Sequence, residues 1–368
     1  MRKKPASAKL ILYGGGKIGQ MIAAFLADCG DYDVTVADRS DASLNAFADL
    51  NVQRKQVDVT NDAELLASAK GQDFIINACP YMFAPSIARA AKEAGAHYFD
   101  LTEDVANTRI VKDLAKDAKS AFMPQCGLAP GFVSIAANYL AQKFDAIEEL
   151  RMRVGALPKY PTNALKYNLT WSTDGLINEY CQLCDAIVDG AQIKLPPLEG
   201  LEHFAIEGVD YEAFNTSGGL GTLCESLSGK AQNLNYKSIR YPGHRDIMRF
   251  LLSDLKLKER QELLKEIFEN AIPATTQDTV LVFNTALGKK DGRYMQEIYT
   301  TRIYAEELLG QKRSAIQIST AAGICAAVDL LREGALPQKG FVRQEQIDLD
   351  VFLKNRFGQY YSRREASR

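Results

Sequence analysis

The chain has 368 residues, with 44 basic against 46 acidic side chains and a formal charge of -2. That length exceeds what one hydrophobic core comfortably fills, since single cores stop growing at roughly 250–300 residues, so two domains are expected. A near-neutral charge gives no field for nucleic acid or an anionic membrane surface, and no apolar run reaches the roughly 20 residues that span a bilayer.

Seven cysteines scattered through apolar segments suit a reducing compartment, and a cytoplasmic protein is expected. The basic tail "RFGQYYSRREASR" reads as a solvated terminus.

The first 126 residues alternate strand-like and helix-like segments. Apolar, β-branched runs occur at "KLILYG", "DVTVAD", "VQRKQVDV", "DFIINAC", "AHYFDL" and "SAFMPQC". Between them, "KIGQMIAAFLADCG" has helical spacing and stops at Gly30, and Asn61 with Glu64 forms a capping-box pair before Leu65 and Leu66. Strands alternating with helices of this length predict an α/β Rossmann domain, a doubly wound parallel sheet, over residues 1–131.

After residue 131 the rhythm changes. "GFVSIAANYLAQKF" reads as a helix and "EELRMRVGAL" as a strand, and the mixture that follows predicts an α+β substrate and dimerisation domain over 132–315. The remaining segment, 316–368, includes the small-residue helix of "SAIQISTAAGICAAVDLLREG".

Gly14, Gly16 and Gly19 form G-x-G-x-x-G between the first strand and the first helix. In that context the pattern is a dinucleotide cradle: Gly14 makes the turn, Gly16 leaves room for a pyrophosphate, and Gly19 lets helix and strand approach. Lys17 and Ile18 open the helix, whose N-terminus presents N–H groups and about half a positive charge to the phosphates. Asp38, at the end of "VTVAD", stands where an acidic side chain accepts from the adenosine ribose, which favours NAD. Arg39 beside it can pair with the extra phosphate of NADP, so that cofactor stays open. Asp58 reads either as a contact to the adenine edge or as part of the turn before "TNDAE".

Ligands of open α/β sheets bind outside the carboxyl ends of the strands. The loops "NACPY", with Cys79, Pro80 and Tyr81, "DLTED" and "CGLAPGF" should therefore frame the nicotinamide.

Together "NACPYMFAPSIARAAKEAGAHYFDLTED", "QCGLAPGF", "NLTWSTDGLINEY", "EAFNTSGGLGTLCE", "IRYPGH" and "ALPQKGFVRQE" resemble the saccharopine dehydrogenase family, in the branch with lysine 6-dehydrogenases and saccharopine reductases. The resemblance implies an NAD(P)-dependent oxidation of a C–N bond in an amino acid or secondary amine, followed by imine hydrolysis. It also implies a homodimer built on the second domain's sheet and a C-terminal segment that packs back near the first domain. By motif match, Gly127, Leu128 and Ala129 lie beside the nicotinamide, while Asp100, Thr102 and Glu103 face the substrate. Many saccharopine reductases carry Asp at the position of Ala129, a departure that leans toward the lysine dehydrogenase branch.

The chemistry itself needs a base for the ammonium proton and a cation for the substrate carboxylate. His244 in "RYPGH" is a base candidate or a satisfied structural histidine. Tyr81 and Glu103 are the other acid/base candidates, Arg240 is the candidate carboxylate anchor, and Trp171 packs around the substrate; each of Tyr81, Glu103 and Arg240 fits an ordinary turn or strand equally. No metal site is expected: "CQLC" (Cys181, Cys184) falls with Ile177, Tyr180, Ile187 and Val188 on one face of a helix, which predicts core packing. The Y-x-x-x-K of Tyr139 and Lys143 lacks the preceding Ser of a short-chain dehydrogenase. A non-catalytic dinucleotide-binding scaffold or sensor is the competing reading of the whole chain.

Overall fold

A computed structural model describes residues 7–362. The chain divides into two units: one takes the residues up to Gly127 together with Thr320–Gln359, the other takes Leu128–Ser319 and the residues from Tyr360 on. The sequence reading placed the first boundary at 131 and set 316–368 apart as a third segment.

In the first unit the strands are β1 (Ala8–Tyr13), β2 (Tyr32–Asp38), β3 (Gln53–Gln56), β4 (Phe74–Asn77), β5 (His97–Asp100) and β6 (Ala121–Met123). All pair in parallel, in the order β6-β5-β4-β1-β2-β3, and the two-residue strand Gly340–Phe341 extends the β6 edge. This is the expected doubly wound sheet, with chain order reversing beside β1. β1 is buried from Leu10 to Tyr13, as a strand covered on both faces must be, while all of β3 is exposed at the edge. The first helix, α1 (Lys17–Cys29), buries Met21, Ile22, Phe25 and Leu26 and ends on Gly30 at φ 67°, the left-handed cap that glycine adopts without a Cβ penalty.

A polar clasp holds the returning C-terminal segment. The fully buried Asp329 carboxylate accepts from Tyr32 Oη at 2.9 Å, Asn355 Nδ2 at 2.8 Å, and Arg356 Nε and Nη2 at 3.0 and 2.6 Å, while Arg356 Nη1 reaches Asp31 at 2.7 Å. The helix Ala315–Arg332 is long and apolar enough to cross a membrane by length and composition, yet 89% of it is buried in the protein.

The second unit is built on an eight-stranded sheet. Its main path runs Glu202–Ile206, Val209–Asn215, Ala231–Arg240, Ala146–Pro158, Asp278–Lys290 and Arg293–Tyr304, with the hairpin Cys184–Val188 and Ala191–Leu195 attached beside Ala231–Arg240. The pairs are antiparallel except Ala231–Arg240 with Ala146–Pro158. Helices Thr173–Cys181 and Gln261–Ala271 enclose a core of Leu176, Tyr180, Phe214, Met248, Leu264 and Phe268.

The "CQLC" prediction needs correction. The helix stops at Cys181, Gln182 turns to extended backbone, and Cys184 opens a strand, so the two cysteines do not share a helix face. Both are buried, and burial pushes their thiols up to about 11 and about 12. Tyr139 and Lys143 pair as a cation over a ring at 4.6 Å, with the ammonium 2.7 Å from Glu297.

Candidate active site

In the first unit the glycine loop leaves β1 and enters α1. Gly14 has φ 105°, and a Cβ there would lie 2.7 Å from the Ala78 carbonyl carbon and oxygen; a Cβ on Gly19 would lie 2.0 Å from the Gly14 carbonyl oxygen. Both glycines are therefore demanded by the fold itself. Gly16 differs: it caps α1 on extended backbone with no side-chain cap, and a Cβ there would meet nothing within 4 Å. No acidic residue occupies the first turn of α1. Open space against bare backbone at the positive end of a thirteen-residue helix fits a pyrophosphate.

The ribose end is less simple. Asp38 Oδ2 accepts from the Gly15 N–H at 2.8 Å and Oδ1 from the Ser40 N–H at 2.9 Å. Asp38 is half-buried, whereas Arg39 next to it is exposed. Asp58 lies in the turn before the helix Asp62–Ala69, where Thr60 donates to Oδ1 from its amide at 2.9 Å and its hydroxyl at 2.7 Å, which hold the carboxyl below its usual range. Asn61 caps that helix as expected, but Glu64 Oε2 accepts from the Asp58 amide.

At the carboxyl ends of β4 and β5 the predicted residues separate into buried and accessible groups. Cys79 is half-buried with its amide 2.9 Å from Asn77 Oδ1, and burial pushes its thiol up to about 12, so it carries no thiolate. Pro80 is exposed, and Tyr81 opens a short 3-10 turn, Tyr81–Phe83. The expectation that Asp100 and Thr102 face the substrate is corrected. Asp100 has no exposed surface: Oδ1 accepts from the Thr102 and Gln125 amides at 3.1 and 2.9 Å, and Oδ2 from Tyr98 Oη at 2.8 Å. Burial raises it to about 6 although those donors pull the other way. Thr102 is buried as well and accepts from the Asp104 amide at 3.2 Å. Glu103, the next residue in the chain, remains partly exposed. At the end of β6, a Cβ on Gly323 would lie 2.7 Å from the Gly127 carbonyl oxygen, so that loop rests directly on helix backbone.

Leu128 and Ala129 belong to the second unit, where Leu128 O accepts from the Val133 amide at 3.0 Å. Here the structure joins residues far apart in sequence. Arg240 donates from Nε to Tyr180 Oη at 2.8 Å and from Nη2 to Glu179 Oε1 at 3.0 Å, with its guanidinium carbon 5.1 Å from the Tyr167 ring centroid. Trp171 Nε1 donates to Tyr167 Oη at 3.0 Å. Burial raises the Glu179 carboxyl to about 7 against the pull of Arg240. Burial also opposes the Arg240 charge, but Tyr180, Tyr167 and Glu179 together hold its pKa above the ordinary value.

His244 lies in the same cluster and has no exposed surface. Its Nδ1 lies 2.8 Å from Leu165 O and its Nε2 lies 3.1 Å from Tyr180 Oη. A carbonyl can only accept, so Nδ1 carries the proton and Nε2 accepts from the tyrosine. Burial and then the Arg240 charge lower the imidazole to about 3. The base reading of His244 is thereby corrected to the structural one: both nitrogens are committed within the core. Arg240 is likewise already engaged with a carboxylate, that of Glu179. The sequence reading gives Tyr180 only as a core residue and does not single out Glu179, although both end the quoted segment "NLTWSTDGLINEY".

Comparison with known proteins decides the family. The model of the saccharopine dehydrogenase NADP binding domain matches residues 10–123, and that of the saccharopine dehydrogenase C-terminal domain matches 127–356. The chain belongs to the saccharopine dehydrogenase family. A saccharopine dehydrogenase [NADP(+), L-glutamate-forming] of Pyricularia oryzae is 25% identical over 282 residues, 71% of this chain and 61% of that protein. The protein of the same name from Saccharomyces cerevisiae is 25% identical over 178 residues, 46% of this chain and 39% of that one. The chain thus spans about three fifths or less of the length of these curated relatives. Apo saccharopine dehydrogenase (L-Glu forming) from Saccharomyces cerevisiae shares the fold, with a TM-score of 0.77 at 17% identity over 96% of this chain and 98% of that one. The preference for NAD drawn from Asp38 finds no support in this family, whose dinucleotide domain is described as NADP-binding.

Proposed function

We propose that this saccharopine dehydrogenase family member is an NADP(H)-dependent dehydrogenase of a C–N bond in an amino acid or secondary amine, with saccharopine or lysine as the substrate class. The observation that carries the reading is the bare helix N-terminus at Gly16, on a domain matched to the family's NADP-binding model. Gly14, Gly16 and Gly19 with Lys17 and Ile18 would hold the pyrophosphate, and the exposed Arg39 would pair with the 2′-phosphate. When bound, the nicotinamide accepts the hydride from the carbon that bears nitrogen.

The residues of the chain have the proton to manage. The substrate ammonium must lose a proton before hydride departs, and water must then add to the C=N bond to release carbonyl and amine. Glu103, partly exposed at the end of β5, is the proposed base, with Tyr81 as the alternative donor and acceptor. Arg240 and Trp171 then shape the second unit through Glu179, Tyr180 and Tyr167; Arg240 would have to share its guanidinium with Glu179 to hold a substrate carboxylate. A homodimer is proposed as well, supported by Tyr294, Met295, Ile298 and Tyr304 exposed on the edge strand Arg293–Tyr304, and light scattering on the purified protein tests it.

Substrate deuterated at the carbon bearing nitrogen tests the reaction class. Deuterium arriving on the reduced nicotinamide, with a carbonyl product trapped by a hydrazine, is the expected result. Cofactor that stays oxidised in the presence of every amine would remove the proposal.

A further inference from the structure

We infer that Asp38 is a positioning residue that latches the glycine loop, and that the neighbouring Arg39, rather than Asp38, selects the cofactor; this rests on the NADP reading above. In the usual arrangement an acidic side chain at the end of the second strand is free to accept from both ribose hydroxyls. Here its two oxygens are already divided between two backbone donors on opposite sides. Oδ2 takes the Gly15 N–H, the middle glycine of the loop, and Oδ1 takes the Ser40 N–H in the turn that follows β2. Each oxygen keeps a further lone pair, so the carboxylate can hold both amides while a cofactor is bound.

The surroundings reinforce the latch. The Gly14 N–H donates to Ala37 O at 2.9 Å, so two successive loop amides are tied to two successive residues of β2. A Cβ on Gly15 would come within 3.3 Å of Asp38 Oδ2 and within 3.2 Å of Phe47 and Ser43, so the loop lies close against this turn. The Ser40 bond fixes the same turn from the other side, and Ser40 Oγ accepts from the Ser43 amide at 3.3 Å. Gln56 Nε2 donates to Arg39 O at 2.9 Å, which pins the Arg39 backbone while its side chain stays exposed. The carboxylate therefore acts on the pyrophosphate, common to NAD and NADP, through the shape of the loop, while the Arg39 backbone is pinned separately by Gln56. A guanidinium in that place supplies the charge and the forked donors that a phosphate monoester needs.

The test is run on the purified full chain by calorimetric titration with NADP, NAD and 2′,5′-ADP, and by deuterium exchange at the Gly15 amide without cofactor. Asp38→Asn keeps one acceptor oxygen and sets an NH2 against the other amide. It should speed Gly15 exchange and weaken NADP and NAD alike, each by about tenfold for one lost charge-assisted hydrogen bond, leaving their ratio unchanged. Arg39→Gln should weaken NADP and 2′,5′-ADP by at least about tenfold and leave NAD and Gly15 exchange unmoved. Asp38→Ser, which removes both carboxylate oxygens, serves if the Asn variant folds poorly. Unaltered Gly15 exchange in the Asp38 variants, or a loss confined to NAD, would overturn the latch. A wild type that prefers NAD would overturn the NADP reading instead, while the exchange measurement still judges the latch.

Discussion

His244 Nε2 accepts from Tyr180 Oη at 3.1 Å, and the same hydroxyl oxygen accepts from Arg240 Nε at 2.8 Å. The proton order is fixed from both ends: the arginine can only donate, and Leu165 O can only accept from Nδ1. Adding a proton to Nε2 would set two donors against each other next to a guanidinium, inside the core.

That relation has a pH consequence. The imidazole is held at about 3 in the folded protein, below its ordinary value in the unfolded chain, so the unfolded state takes up the proton first. Its contribution is fully present above about pH 6.5 and is lost as pH falls toward about 3, on the order of several kcal/mol in all. Urea midpoints between pH 4.5 and 8 should fall on the acid side in the wild type. His244→Gln should be less stable at pH 7 but should lose much of that slope; an equal slope in both proteins would remove the argument.

Glu179 titrates with the opposite sign. Its carboxyl sits at about 7, above its unfolded value, so its own contribution is largest at low pH and declines as pH rises from about 4.5 to about 7. Removing Arg240 leaves this buried acid without its counter-charge. Arg240→Met should cost about 3–5 kcal/mol at pH 7, and Arg240→Met with Glu179→Leu should recover part of it. A loss in the double variant equal to the sum of the losses in Arg240→Met and Glu179→Leu, read by denaturant unfolding, would show that the pair is not coupled.

The glycines of the cradle should divide into two kinds. Gly14→Ala meets the Ala78 backbone in a left-handed conformation, so it should lower stability by roughly 1–3 kcal/mol and reduce the yield of folded protein. Gly16→Ala meets nothing, so the loss of stability should stay within about 1 kcal/mol, the difference between glycine and alanine at an N-cap. Its Cβ would instead occupy the space assigned to the pyrophosphate, and NADP affinity should fall at least about tenfold. Intact NADP binding in Gly16→Ala would move the cofactor elsewhere.

The C-terminal clasp should report on the edge of the first sheet. Asp329→Ala strands Tyr32, Asn355 and Arg356 around a vacated position and should cost about 3–5 kcal/mol. Amides near Gly340–Phe341 should then exchange faster than those of β1. Uniform exchange across the sheet would show that the segment is held by other contacts.

Much of the first unit was legible because its signals are local. The β1 run, the glycine spacing and the Asn61 cap each lie within a dozen residues, and each formed as read. The strand Gly340–Phe341 was not legible, since two residues show no period and it exists only because β6 offers an edge. The helix that was drawn through Cys184 failed because strand pairing with Ala191–Leu195 overrode an apolar spacing that fits either structure. At the site, residue types were visible but not their partners. Arg240 meets Glu179 across 61 positions and His244 meets Tyr180 across 64, distances over which no sequence period carries information. Asp38 was found for its place in a motif, but its role depends on which way a carboxylate turns.

The most direct measurement of the central claim follows reduction of NADP and, separately, NAD by absorbance at the nicotinamide band, with saccharopine, lysine and related amines as donors. The account predicts turnover with at least one of these amines, faster with NADP than with NAD. Saturable cofactor binding with no reduction by any amine would contradict it and leave a dinucleotide-binding scaffold or sensor.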